Sequence, residues 1–244
     1  MTKKRILYIS SELFPFTSKS SISLKTYFFA KKMYSKENDV RIFMPRYGII
    51  NERKHQIHEV IRLSGLKVII KNVNKPMMIK VSSIPEIRLQ VYFIENEEFF
   101  KRKGIYYDSL GSFFEDNDER MLFFTKSVIY AIKKLSWSPD VLHIHGWLGA
   151  CIPLYIKTSY KEDPLFKNTK IITSIYNENF ENYLSIDLIK KIKLDGIKNK
   201  SLKHIENPYL RNLLKLAIDY SDLILKEDKY INSEIEYYIN LKHA

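Results

Sequence analysis

The opening segment constrains the fold more than any other. Arg5–Ser10 (RILYIS) is a short apolar run, a polar serine-rich loop follows, and a helical pattern continues to about Tyr34. Asp39–Met44 (DVRIFM) then reads as a second strand. Strand, loop, helix and strand in that order predict a βαβ unit, whose parallel strands need a right-handed crossover. Further strands are expected at Lys67–Lys71, Met77–Ser83 and Arg88–Ile94, close together and separated by Asn72, Asn74, Pro76 and Pro85. They read as a hairpin or meander inserted into the α/β pattern.

The clearest helix spans Asp116–Leu135. Met121, Phe124, Val128, Ala131, Ile132 and Leu135 recur at helical spacing and are expected in the core. Asp116 with Glu119 resembles a capping box. Val141–His145 and Lys170–Ile175 read as strands, and Leu223–Leu225 as a short final one. Pro153–Ser159, Ile186–Lys193, Pro208–Asp219 and Lys229–Asn240 read as helices. The 244 residues show no repeat and no Pro/Gly-rich hinge. One α/β domain over 1–244 follows, a parallel sheet with helices on both faces.

Composition narrows the setting. Cys151 is the single cysteine, which excludes a disulfide framework and fits a reducing cytoplasm. The apolar stretch after Met1 is too short for a secretory segment, and no window reaches the ~20 apolar residues of a membrane span. The net charge is +12, which raises a polyanion partner. Yet only 9 of the 40 basic residues are arginine, the residue suited to bidentate phosphate and base contacts, so the composition argues for bias and against nucleic acid.

Ligands of open parallel sheets bind beyond the carboxyl ends of the strands. Three such ends carry chemistry here. In Ser10–Ser21, Ser20 and Ser21 serve either as a plain helix cap or, with Lys19, as an anion cradle. In His143-Ile-His145-Gly146-Trp147 the two histidines share a strand face and are expected to point into a cleft, holding a sugar or phosphate or forming a structural pair. Gly146 marks a close backbone approach. In Ser174–Asn179, Tyr176 and Asn177 suit either carbohydrate contacts or an ordinary strand exit. Arg46, at the end of the second strand, can meet an anionic ligand or a carboxylate. Asp116–Arg120 opens the long helix, as a dipole-stabilising turn or as a site. No metal site is expected, and the Gly-rich, P-loop, G-x-S-x-G and H-E-x-x-H patterns are absent.

Taken in order, Ser10-Ser-Glu-Leu-Phe-Pro-Phe16, Met44-Pro-Arg-Tyr-Gly48, Asp116-Asn-Asp-Glu-Arg120 and Pro139-Asp-Val-Leu-His-Ile-His-Gly-Trp147 resemble the N-terminal catalytic domain of bacterial glycogen and starch synthases. Leu216–Leu225 is similar to the segment closing that domain. The resemblance covers nearly the whole chain and is nearest to a single-domain bacterial offshoot. It implies a Rossmann-like half of a GT-B glycosyltransferase, with the C-terminal nucleotide-sugar domain absent. It implies transfer of glucose from ADP-glucose to an α-1,4-glucan or malto-oligosaccharide, without metal or other cofactor. His145, Asp116, Asn117 and Arg120 would be the catalytic residues by this likeness. Arg46, Tyr47, Gly48, Gly146, Trp147, Tyr176 and Asn177 would bind substrate. The family's Lys-Thr-Gly-Gly-Leu donor loop falls on Ser18-Lys19-Ser20-Ser21-Ile22, with the lysine displaced and both glycines lost. ADP-glucose is therefore expected to bind weakly or not at all. A separate donor-domain protein or a second copy of the chain would supply the other wall. The alternative is a non-catalytic glucan-binding or regulatory module.

Overall fold

The computed structural model describes residues 3–178 and 181–243. Strand β1 (Arg5–Ser10) is followed by helix α1 (Ser21–Tyr34) and strand β2 (Asp39–Pro45). An antiparallel group comes next: β3 (His58–Glu59), β4 (Leu66–Ile70), β5 (Val73–Ile84) and β6 (Leu89–Glu95). Helices α2 (Glu97–Phe100) and α3 (Asn117–Leu135) lead to β7 (Val141–His145). The remainder is α4 (Ile152–Lys157), β8 (Lys170–Ile175), α5 (Leu188–Lys193), α6 (Leu210–Asp219), β9 (Leu223–Lys226) and α7 (Ser233–His243).

The strands lie in the order β3-β5-β6-β2-β1-β7-β8-β9, with β4 also paired to β5. The run from β6 to β9 is parallel throughout. β5 is antiparallel to β6, and β3 and β4 are antiparallel to β5. The inserted hairpin expected from sequence is thus no appendage, because β6 continues the main sheet beside β2. The chain goes from β1 to β2 on one side and returns to β7 on the other. Strand order therefore reverses between β1 and β7, where open α/β sheets form a ligand crevice.

Register fixes what each face carries. Tyr8 pairs with His143 and Ser10 with His145, so these side chains share one face. Phe29 of α1 packs there, 5.5 Å from the His143 ring and 5.9 Å from that of His145. Ile9 and Ile144 point the other way, toward Gly149. On that face Cys151 Sγ meets Met121 Sδ of α3 at 3.8 Å. Each buried side chain of Leu, Ile or Phe size contributes about 1.5–3 kcal/mol, and α3 buries Met121, Phe123, Phe124, Val128, Ile129 and Ile132 completely.

Ser20 caps α1 in a reciprocal box: its Oγ accepts from the Ser23 N–H at 3.0 Å, and Ser23 Oγ accepts from the Ser20 N–H at 2.9 Å. The Asp116–Glu119 box expected at α3 does not form. Asp116 stands at the cap position, but Arg102 holds both its oxygens, at 2.7 and 2.5 Å. Glu119 is held by Lys71 and Lys191 instead.

Candidate functional site

A cavity of about 240 Å³ opens beyond the carboxyl ends of β1, β7 and β8. Each of the three loops singled out from sequence reaches it. The first contributes Glu12, Ser20 and Ser21, the second Trp147, and the third Tyr176, Asn177 and Glu178. Asn179 lies outside the described residues. Ile22, Tyr106, Tyr107, Asn182, Leu210 and Asp228 complete the lining.

One wall is aromatic. The rings of Tyr106 and Trp147 are 5.2 Å apart, and Phe113 bridges Trp147 and Tyr107 at 5.9 and 5.4 Å. Asn182 donates to the Tyr107 hydroxyl at 2.5 Å. Carboxylates line the cavity as well. Glu12 accepts from Ser20 Oγ at 2.8 Å. Asp228 accepts from Ser21 Oγ at 2.5 Å and from the Asn177 N–H at 2.8 Å. Glu178 accepts from the Trp147 N–H at 3.4 Å. Burial, with Glu12 and Asp228 nearby, pushes the Glu178 carboxyl up to about 8. Burial also raises the Glu12 pKa, against the hydrogen bond it accepts from Ser20. No lysine, arginine or histidine lines the cavity among the described residues. Aromatic faces, amides and carboxylates without a cation suit a neutral, hydroxyl-rich ligand and resist an anionic one.

The histidines are not on this surface. The expectation that they open into a cleft is corrected: His143 is 4% exposed and His145 fully buried. Their rings lie 4.1 Å apart between β7 and α1. Tyr176 closes over His145, its hydroxyl 2.5 Å from Nδ1, while Nε2 is buried with no partner. His143 Nε2 lies 2.8 Å from Ser174 Oγ, which donates to Glu227. Burial lowers the His143 pKa to about 3 and holds His145 far below the usual imidazole range, so both are neutral.

Asp116, Asn117 and Arg120 also sit one layer back. Arg120 is buried, with Nε donating to the Phe99 carbonyl at 2.7 Å and Nη1 to Asn117 Oδ1 at 2.5 Å. Its guanidinium lies over Phe114 at 5.0 Å, and burial lowers its pKa. Asn117 Nδ2 donates to the Tyr106 carbonyl at 2.9 Å. The stretch thus braces the aromatic wall without lining the cavity.

Arg46 meets carboxylates. It grips Glu95 at 3.1 and 3.0 Å and Glu52 at 3.2 Å, with its side chain 5% exposed. It is therefore not free for an anionic ligand. Tyr47 is buried and donates to the Ser11 carbonyl at 3.0 Å. A Cβ on Gly48 would fall 2.2 Å from the Lys101 carbonyl oxygen, so only glycine fits there. Gly146, at φ 83°, makes the close approach read from sequence, since a Cβ would lie 2.5 Å from Ser11 Oγ. Ser18 and Lys19 are exposed outside the cavity, and the Lys19 ammonium stands 5.7 Å from the Phe14 ring. Ser20 and Ser21 reach the cavity with their hydroxyls committed to Glu12 and Asp228. The cap reading of this loop is the one realised.

Sequence reasoning missed Glu12, Tyr106, Tyr107, Glu178, Asn182, Leu210 and Asp228 as lining residues. Glu12 and Glu178 stood within the loops singled out. The others come from irregular segments and a helix start far away in sequence, where no period or spacing marks them.

Residues 5–241 match the starch synthase catalytic domain family. The chain belongs to that family. It is similar to the glycogen synthase of Chlorobium luteolum, 31% identical over 232 residues, covering 95% of this chain and 47% of the relative. The glycogen synthase of Chlorobium chlorochromatii is 36% identical over 221 residues, covering 90% and 45%. The chain spans about half the length of the curated relatives it matches. Among solved structures, the catalytic domain of starch synthase IV from Arabidopsis thaliana bound to ADP and acarbose superposes with a TM-score of 0.75. That likeness is at 18% identity and covers 91% of this chain and 44% of the other. The chain shares the mixed α/β fold, with a central mostly parallel sheet, of that GT-B catalytic domain. No helix among the described residues is long and apolar enough to cross a membrane.

Proposed function

We propose that this domain is the glucan-holding wall of a glycogen or starch synthase-type glycosyltransferase. In that role it presents an α-1,4-glucan or malto-oligosaccharide to ADP-glucose. The observation that carries this reading is the cavity beyond β1, β7 and β8, built of Tyr106, Tyr107, Trp147 and Tyr176 against Glu12, Glu178 and Asp228. Sugar rings stack their C–H faces on aromatics, and their hydroxyls hydrogen-bond to carboxylates and amides. Family membership and relatives named glycogen synthase support the reaction class.

In this reading glucose C1 bonds to the acceptor's terminal O4 as its bond to the diphosphate breaks. ADP leaves with the electron pair, and its departing phosphate oxygen takes the proton of the acceptor hydroxyl. The developing diphosphate charge needs cations, and this wall provides none. Those groups would come from a donor domain facing this wall, on the same polypeptide, on a separate protein or on a second copy. Asn117 and Arg120 act by holding Tyr106, and His145 by seating Tyr176. A cytoplasmic setting is supported by the lone, buried Cys151 thiol.

The serine-filled donor loop and the burial of His145 favour a second reading, a non-catalytic glucan-binding module. Two measurements separate the readings. Maltoheptaose titrated into a Trp137→Phe variant should shift Trp147 fluorescence saturably under both. ADP release from ADP-glucose, dependent on a glycogen primer, is expected only under the first. A Trp147 signal indifferent to maltoheptaose would refute both.

A further inference from the structure

A second concavity, about 370 Å³, lies between segment 54–58 and the turn joining β5 to β6. Its lining is opposite in charge to that of the sugar cavity. Lys54, His55, His58 and Arg88 line it, and no carboxylate does. Lys54, His58 and Arg88 are exposed at its rim and His55 is half-buried. None of these four enters an ion pair among the described residues.

The cluster is anchored. The His55 ring rests 4.8 Å from that of Phe16, and its carbonyl accepts from Ser82 Oγ at 2.5 Å. Arg88 stands at φ 53° in the tight turn, where its N–H donates to the Ile84 carbonyl at 2.8 Å. Burial, and then the Lys54 charge, lower the His55 pKa, as expected where cationic groups crowd. Lys54 and Arg88, unpaired on one concave surface, set up a positive field that an anion relieves. Guanidinium, ammonium and imidazole N–H groups together match the oxygens of a phosphate. The volume exceeds what one phosphate fills, a water occupying about 30 Å³ in the liquid. Uncharged groups line the remainder, Gln56, Ser82, Ser83 and Gln90 with the apolar Val81 and Pro85.

We propose that this concavity binds a small organic phosphate, its phosphate held by Lys54 and Arg88 with His55 and His58 as further donors. The site is independent of the glucan cavity and does not rest on the function proposed above.

Calorimetric titration of the full chain tests it with three probes: inorganic phosphate, a hexose monophosphate and a nucleoside monophosphate. At least one organic phosphate should bind saturably and more tightly than inorganic phosphate, and the comparison identifies the attached body. The double variant Lys54→Ala/Arg88→Ala should weaken that binding at least about tenfold, the equivalent of 1.4 kcal/mol. The maltoheptaose response at Trp147 should be unchanged in the same variant. Lys54→Gln, at an exposed position, gives the same direction of change should the double variant fold poorly. Absence of saturable binding for all three probes overturns the proposal, as does binding indifferent to both variants. Inorganic phosphate binding as tightly as the organic phosphates overturns the assignment of an organic body.

Discussion

Replacing Arg46 with alanine should damage stability and leave glucan binding intact. The guanidinium grips Glu95 through two hydrogen bonds, at 3.1 and 3.0 Å, and the two side chains are 5% and 3% exposed. Removing one partner of such a pair costs about 3–5 kcal/mol, because it strands the other charge. Lys80 also reaches Glu95, at 2.8 Å, and partly compensates. The lower end, about 3 kcal/mol, is therefore expected, which lowers Tm by about 6–12 °C in a domain of this size. Calorimetric melts of wild type, Arg46→Ala, Glu95→Gln and the double variant give the coupling directly. The Arg46→Ala penalty should shrink in the Glu95→Gln background.

The penalty should also shrink in acid. Burial alone would raise the Glu95 pKa, but hydrogen bonds from Arg46 and Lys80 outweigh it and hold the carboxyl below its usual 4.5. Its stabilisation is thus full above the unfolded value and is lost as pH falls through the folded one. A Tm drop under about 2 °C, combined with weakened maltoheptaose binding, would refute this reasoning and return Arg46 to the ligand.

Gly48→Ala forces a Cβ to within 2.2 and 2.6 Å of two backbone carbonyl oxygens and should cost about 3 kcal/mol, read as a Tm loss of about 6–12 °C; an unshifted melt would contradict that packing. For Glu178 the folded pKa, about 8, lies above the unfolded one, so wild-type stability should fall as pH rises from about 4.5 to 8. Glu178→Gln should remove this decline, raising Tm relative to wild type at pH 8 and not at pH 4, and parallel Tm–pH curves would argue against a buried carboxyl. The His143 imidazole, lowered to about 3 by burial, should stay neutral in the folded protein at pH 5. Its C2-proton shift by NMR should be flat from pH 7 to 5, and a midpoint near 6.5 would mean that the ring meets water.

The sheet was legible because its central strands are short runs buried on both faces. RILYIS and VLHIH carry that signature, and β1 and β7 begin and end where those runs do. β5 extends beyond the expected Met77–Ser83 because its first residues pair with β4 through backbone groups, which exposed Val73 and Asn74 and half-buried Lys75 do not advertise. The helix α2 is one turn capped by Asn96, too short for any periodicity. The Asp116–Glu119 spacing matched a capping box, but partners 14 and 72 residues away took both carboxylates. For the site, the carboxyl-end rule located the three loops. It could not tell which side chains reach the cavity and which support those that do. His145 and Tyr176 illustrate this: parallel pairing of β7 with β8 sets them on the same face, and the longer tyrosine closes the shorter ring away.

The lining of the sugar cavity draws on segments near residues 12, 20, 106, 147, 177, 182, 210 and 228, which meet only when the whole sheet is assembled. A ligand seated there binds the folded state and nothing else. By mass action it contributes about 2.7 kcal/mol at a hundred times its Kd, spread over every segment it touches. Under the proposed glucan-holding role, glucan abundance would act as a folding variable for this domain, setting how often the distant ends of the chain come apart and how long proteases have to find them.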